Sequence, residues 1–174
     1  MSVAEPSIPA QAKVLANIMV GSNQATSAAG RSSPLRTPED GIRFHQVRAS
    51  AKALIIGGNT FRNEPYQKAP LPVFVASANL TPIQDEKLYV ANLSPREMIA
   101  VALKKVGAPV LIEGGVNFLQ TLIQDKSIEA LLITRTPKSG DGDFWDDVLL
   151  EKNYELTSHE NASGSKFEIW RPKA

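Results

Sequence analysis

Val110-Leu111-Ile112-Glu113-Gly114-Gly115-Val116-Asn117-Phe118-Leu119 is a short apolar run that stops at a carboxylate and two glycines and then resumes with a different period. Pro109 to Ile112 is long enough for a buried strand, and Phe118, Leu119, Leu122 and Ile123 recur at the three-and-four spacing of one helix face. The stretch therefore reads strand, turn, helix, with Gly114-Gly115 as the turn. Two glycines let the backbone approach a ligand closely, and the helix behind them offers unpaired N–H groups to an anion such as a pyrophosphate. Strand-to-helix turns also use glycine for steric reasons alone, so this stretch by itself leaves both readings open.

The same grammar repeats on either side. Upstream, Ser94-Pro95-Arg96-Glu97 carries the residues of a capping box, with Met98, Ile99, Ala102, Leu103 and Val106 as an apolar face and Gly107 as the stop. Ala53-Leu54-Ile55-Ile56 is a second buried strand that ends in two glycines, Gly57-Gly58. Pro72 to Ala76 stops at Ser77-Ala78-Asn79, and Leu88 to Ala91 and Ala130 to Thr134 are further strands. Val14 to Val20 is the first strand, with a loop after it from Gly21 to Arg36 dense in Gly, Ser, Asn, Thr and Ala, of a length that invites a functional explanation. Thr37-Pro38-Glu39-Asp40 opens a helix that runs to about Ser50, with Thr37 as N-cap, Pro38 in the first turn and acids favoured by the helix dipole. Tyr154 to Ser158 and Phe167 to Trp170 flank a turn and read as a closing hairpin. Eight strands alternating with amphipathic helices predict an α/β domain with a mixed, mostly parallel sheet, helices on both faces and a C-terminal antiparallel hairpin. Residues 1–12 read as a mobile lead-in and 13–174 as a single domain.

Composition narrows the function classes. Lys plus Arg number 19 against 18 for Asp plus Glu, so no basic excess points to nucleic acid or an anionic membrane. There is no cysteine and there are two histidines, which argues against a dedicated metal site and excludes the H-x-E with P-C-x-x-C signature of zinc deaminases. No run approaches the roughly 18 apolar residues of a membrane span. A soluble, cytoplasmic protein is expected.

Ligands of open α/β sheets bind outside the carboxyl ends of the strands, and three such ends carry small or polar residues: Gly57-Gly58-Asn59-Thr60, Ser77-Ala78-Asn79 and Glu113-Gly114-Gly115. Neither glycine turn reads G-x-G-x-x-G, and no P-loop lysine is present. The residues themselves predict a nucleotide-binding α/β domain.

Thr37-Pro38-Glu39-Asp40, His45-Gln46-Val47-Arg48 and the run from Ala53 through Gly57-Gly58-Asn59-Thr60-Phe61-Arg62-Asn63-Glu64-Pro65 resemble the reductase domain of bacterial riboflavin biosynthesis proteins, within the dihydrofolate reductase-like superfamily. Ile112-Glu113-Gly114-Gly115-x-x-x-Leu119 is similar to that family's second hallmark, and the resemblance extends from about Val14 to Arg171. It implies a three-layer α/β/α fold binding NADPH, with hydride passed to a phosphorylated heterocycle, a ribosylaminopyrimidinone phosphate. On this resemblance Gly57, Thr60, Gly114 and Gly115 would hold the cofactor phosphates, Ser77 the adenosine side and Thr26 the nicotinamide region, while Glu64 and Glu113 would face substrate. The family's Met-Ser-x-Asp-Gly-Lys after the first strand is here Met19-Val20-Gly21-Ser22-Asn23-Gln24, so Ser22 stands for the acid and Gln24 for the lysine. Ser and Gln hydrogen-bond but supply neither charge nor a proton at neutral pH. Two expectations result: an NADPH-dependent reductase of altered substrate, or a non-catalytic nucleotide-binding protein with the same fold.

Other residues carry competing readings. His45 packs or caps mid-helix, or serves as a ligand. Glu113 faces substrate or accepts from turn N–H groups. Thr60 contacts phosphate or is an N-cap only. Arg31, Arg36, Arg43 and Arg48 form a phosphate cluster, with a solvated face as the alternative for Arg43 and Arg48. Asp141, Asp143, Asp146 and Asp147 lack the spacing of a calcium loop and read as solvated. Phe144, Trp145, Phe167 and Trp170 read as core or subunit interface, with a homodimer favoured.

Overall fold

Parallel strands covered on both faces read as near-continuous apolar runs, and this sequence supplies them. The computed structural model describes Pro9 and residues 11–174. Its first strand, β1 (Val14–Val20), precedes β2 (Ala25–Ser27), α1 (Pro38–Ala49), β3 (Ala53–Gly57), α2 (Gly58–Asn63), β4 (Val73–Ala76), β5 (Ile83–Gln84), β6 (Leu88–Ala91) and α3 (Pro95–Val106). Then come β7 (Val110–Ile112), α4 (Val116–Gln124), β8 (Ala130–Arg135), β9 (Gly142–Phe144), α5 (Asp147–Asn153), β10 (Tyr154–Ala162) and β11 (Ser165–Pro172). Of the lead-in expected over residues 1–12, residues 1–8 and 10 lie outside the described residues. Ala12 is already buried, and its N–H donates to the Pro9 carbonyl at 3.1 Å.

The main sheet runs β10-β11-β8-β1-β7-β3-β4-β6-β5. From β8 to β6 every neighbouring pair is parallel, while β11 is antiparallel to β8, β10 to β11 and β5 to β6. The mixed, mostly parallel sheet and its closing hairpin are as the sequence predicts. The eight expected strands are all present. The ninth is the two-residue edge strand β5, too short to leave a periodic signal.

Side chains alternate between two cores. Val14, Ala16, Ile55, Val110, Ile112, Leu131 and Ile133 pack under α3 and α4, whose contributions include Met98, Ala102, Leu119 and Leu122. On the opposite face Leu15, Leu54, Ile56, Val75, Leu111 and Leu132 pack against Val47 of α1 and Tyr66. The strand period of two thus feeds two helical layers, which makes the fold three-layered. Both capping expectations hold: Thr37 Oγ1 accepts from the Asp40 N–H, and Ser94 and Glu97 form a complete capping box on α3, which Gly107 ends at φ +79°.

Three elements and one residue depart from the sequence reading. The loop from Gly21 to Arg36 contains β2, whose residues are all buried and pair antiparallel with β9, and a 3-10 turn at Ser33–Leu35 that buries Leu35. Helix α5 is unexpected from the sequence, because its seven residues come after an Asp/Gly-rich loop. Arg43 is not on a solvated face: it is buried, with its guanidinium 4.7 Å from the Phe167 ring centroid.

Candidate functional site

Strands β1, β3, β4 and β7 run parallel, so their carboxyl ends fall along one edge of the sheet, where the chain must turn. A cavity of about 790 Å³ lies there, within the range of small-molecule and cofactor sites. Asn17, Ile18 and Met19 contribute from β1, the two glycine turns and Ser77 from the strand ends, Asp40, Phe44, His45 and Arg48 from α1, and Thr26, Ser27 and Arg31 from the loop above. Thr26, Gly57, Thr60, Glu64, Ser77, Glu113, Gly114 and Gly115 all line it. Ser22 does not: it is exposed, and its N–H donates to the Lys138 carbonyl at 2.8 Å. Gln24 also lies elsewhere, donating to Asp147 Oδ2 at 2.9 Å.

The glycines differ in what requires them. Gly115 has φ +77°, a conformation L side chains avoid, and caps the start of α4. Gly114 is required by close approach, since a Cβ there would lie 2.7 Å from Thr60 Cγ2. Thr60 is therefore the contact that locks the β3–α2 turn to the β7–α4 turn. It is not an N-cap, because that position of α2 belongs to Gly57. A Cβ on Gly58 would lie 2.6 Å from Ser77 Oγ and 3.6 Å from Arg62 Nη1, so a hydroxyl and a guanidinium both flank Gly58.

Glu113 is held rather than free. Arg48 donates to it twice, Nε to Oε1 at 2.7 Å and Nη2 to Oε2 at 2.6 Å, and the Tyr66 hydroxyl donates to Oε2 at 2.9 Å. Its side chain is 2% exposed. Burial opposes the Arg48 charge, but Glu113 outweighs it and keeps the guanidinium protonated. Burial and then Glu113 push the Tyr66 phenol well above its usual range, so it remains a donor. Glu113 is a structural acceptor, served by side chains of α1 and the α2–β4 connection instead of the turn N–H groups. Glu64 is likewise engaged: its Oε1 accepts from Ser32 N at 2.7 Å and Ser32 Oγ at 2.9 Å. Thr26 Oγ1 donates to the Asp143 carbonyl at 2.6 Å.

Sequence reasoning missed Asp40 as a site residue and assigned it to the helix dipole. It lines the cavity yet is only 5% exposed, and burial raises its pKa above the ordinary carboxylate value against the opposing pull of Thr134, Arg36 and Arg43. Arg36 Nε lies 3.5 Å from its Oδ2. The available signal was spacing: Asp40, Phe44 and Arg48 are four apart and share one face of α1. The Phe44 ring carries the Arg36 guanidinium at 4.5 Å and that of Arg48 at 4.2 Å, and His45 packs edge-on against it. Arg31 and Arg62 form no ion pair among the described residues, and Arg62 Nη2 donates to Asn59 Oδ1. The four loop aspartates are not idle either: Asp141 accepts from Ala29 N, Asp143 from Ser27 Oγ and Asp147 from Arg135, and Asp146 caps α5.

No protein-family model matches the sequence, and no curated protein matches it. Solved structures do. A protein of Shewanella sp. PV-4 assigned provisionally to riboflavin biosynthesis superposes with a TM-score of 0.69 at 19% identity, over 92% of this chain and 98% of that one. Dihydrofolate reductase of Enterococcus faecalis, in complex with NADP(H) and RAB-propyl, gives 0.71 at 18% identity, over 92% and 96%. The diaminohydroxyphosphoribosylaminopyrimidine deaminase/5-amino-6-(5-phosphoribosylamino)uracil reductase of Thermotoga maritima gives 0.72 at 12% identity, over 92% of this chain but 56% of that longer one. The chain has the dihydrofolate reductase-like fold. Among the described residues no helix is long and apolar enough to cross a membrane.

Proposed function

We propose that the chain is an NADPH-dependent reductase of a planar, anionic heterocycle, related to the reductases of riboflavin biosynthesis. The observation that carries this reading is a cavity at the strand ends, bracketed by two glycine turns, with the buried carboxyl of Asp40 in its wall. The residues fit a dinucleotide. Gly57 and Gly115 leave the trough floor without side chains, and the first N–H groups of the nine-residue α4 have no helical partner and face an anion favourably. Gly57, Thr60, Gly114 and Gly115 then border the dinucleotide phosphates, Ser77 and Arg62 the adenosine ribose, and Thr26 the nicotinamide.

NADPH, when bound, supplies the hydride. The chain supplies position and a proton. Asp40, kept protonated to higher pH by burial, is placed to give its proton to a ring nitrogen of the heterocycle, and the Phe44 ring holds the Arg36 and Arg48 guanidiniums beside it. Arg31 is available to an anionic substituent. Glu113, with both oxygens engaged by Arg48 and Tyr66, acts by fixing Arg48.

One observation favours the second reading, a nucleotide-binding protein without turnover: both glutamates expected to face substrate, Glu64 and Glu113, are already engaged. Asp40→Asn separates the two. A screen of oxidised pyrimidine and pterin-like compounds, tracking NADPH oxidation, should find a substrate whose turnover falls at least a hundredfold in Asp40→Asn with dinucleotide binding retained. If no compound in the screen is turned over by a protein that binds NADPH, the second reading stands.

A further inference from the structure

The loop above the cavity is fastened from outside it. Gln24 has φ 67°, a left-handed conformation unusual for its type, and both polar groups of its side chain are used. Its Nε2 donates to Asp147 Oδ2 at 2.9 Å, its Oε1 accepts from Arg135 Nη1 at 3.4 Å, and its carbonyl accepts from Trp145 N at 2.8 Å. Arg135 grips Asp147 through Nη2 to Oδ1 at 2.7 Å and Nη1 to Oδ2 at 3.1 Å, and donates from Nε to Glu168 Oε2 at 3.1 Å. Glu168 is 4% exposed and is further held by Trp170 Nε1 at 2.9 Å and Lys166 Nζ at 2.9 Å. The hub joins the end of β8, the start of α5 and the hairpin strand β11, which are rigid parts of the fold. None of Gln24, Arg135 and Asp147 lines the cavity.

The next residues along the chain do line it. Ala25 and Ser27 pair with Phe144 and Gly142, and Thr26 Oγ1 and Ser27 Oγ both donate to Asp143, at 2.6 Å to its carbonyl and 3.0 Å to its carboxylate. Thr26 and Ser27, two and three residues beyond Gln24, face the cavity together with Asp143. We propose that Gln24, Arg135 and Asp147 are positioning residues that set the Ala25–Ser27 strand and so place Thr26 and Ser27 at the ligand. Position 24, where the riboflavin-type resemblance has lysine, does not line the cavity in this chain. Arg135 and Lys166 already balance Asp147 and Glu168, and a third cation at 24 would meet the Arg135 guanidinium directly.

The ligand arm of the test rests on the NADPH reading; the exchange arm does not. Amide hydrogen exchange of the free protein would be compared for the wild type, Gln24→Lys, Asp147→Asn and the charge swap Gln24→Lys with Arg135→Gln. Exchange at residues 25–27 and 142–145 is expected to speed up at least tenfold in both single variants, with β1 and β8 unchanged, and to return towards wild type in the swap. NADPH affinity is expected to fall at least fivefold in the single variants and recover in the swap. Wild-type exchange at 25–27 in Asp147→Asn would overturn the hub, even if Gln24→Lys failed to fold. Faster exchange with unchanged NADPH affinity would overturn its positioning role. A wild type that binds no NADPH would instead count against the functional reading, and the exchange arm would decide the hub by itself.

Discussion

Two side chains matter through their environment more than through their type. Asp40 is a carboxyl whose folded pKa lies above the ordinary 3.8 because it is buried. The folded protein therefore binds more protons than the unfolded chain between 3.8 and that raised value, and stability falls as pH rises through the window. Asp40→Asn removes the penalty, which is about 1.4 kcal/mol for every tenfold change in proton affinity. Melting temperature against pH should show the variant above wild type at neutral pH and level with it near pH 3. A variant less stable at every pH would contradict the assignment. On the NADPH reading Arg62, which with Ser77 flanks Gly58, would donate to the ribose phosphate, a charge-assisted bond of about 1.5–3 kcal/mol. Arg62→Ala should weaken NADPH about tenfold or more in calorimetry and leave NADH nearly unchanged; an equal loss for both would place Arg62 elsewhere in the site. Neither role was legible in the sequence. Asp40 looked like a first-turn helix acid, and Arg62 stood only within the run that carries the resemblance, because burial and neighbours come only from tertiary packing.

Among helices, strands and turns, the sequence was most informative where local chemistry decides the outcome. Thr37-Pro38 and Ser94-Pro95-Arg96-Glu97 announced α1 and α3, and the structure caps both as expected. The glycine turns were also legible as turns, but their cause was not. Gly114 answers to Thr60, 54 residues earlier in the chain, a contact that no local pattern encodes. Gly114→Ala is expected to destabilise the protein by about 1–3 kcal/mol through overpacking, and adding Thr60→Ala should recover much of the loss, because Cγ2 and Oγ1 are the atoms in the way. Denaturant midpoints of the two single variants and the double variant measure this; strictly additive losses would show that the turns do not meet there. The same limit explains β2 and α5. Each is short, and each is fixed by a distant segment, through the pairing of β2 with β9 and the Gln24–Asp147 hydrogen bond, so neither leaves a periodic trace. The four aspartates read as solvated for a related reason: for Asp141 and Asp143 the partners are more than a hundred residues away, in the Gly21–Arg36 loop.

For the molecule as a whole, alternating apolar strands and amphipathic helices settle the three-layer sheet, because strands buried on both faces admit few other arrangements. The position of the cavity is a consequence of that topology and needed only the strand ends to be found. Its chemistry is more particular. The trough retains the glycine turns and Ser77 expected of a dinucleotide site, while the two expected substrate carboxylates are engaged, Ser22 is exposed outside it, and Gln24 has become part of an ion-pair hub. The residues expected to hold a dinucleotide are thus brought together along one cavity, while Ser22 and Gln24 lie outside it. Everything proposed for the site depends on the trough taking a reduced nicotinamide dinucleotide, and a calorimetric titration of the protein with NADPH decides that. Saturable binding to one site per chain is expected, weakened in Arg62→Ala. No heat of binding and no saturation at millimolar NADPH would refute the reading and leave the cavity to a different ligand.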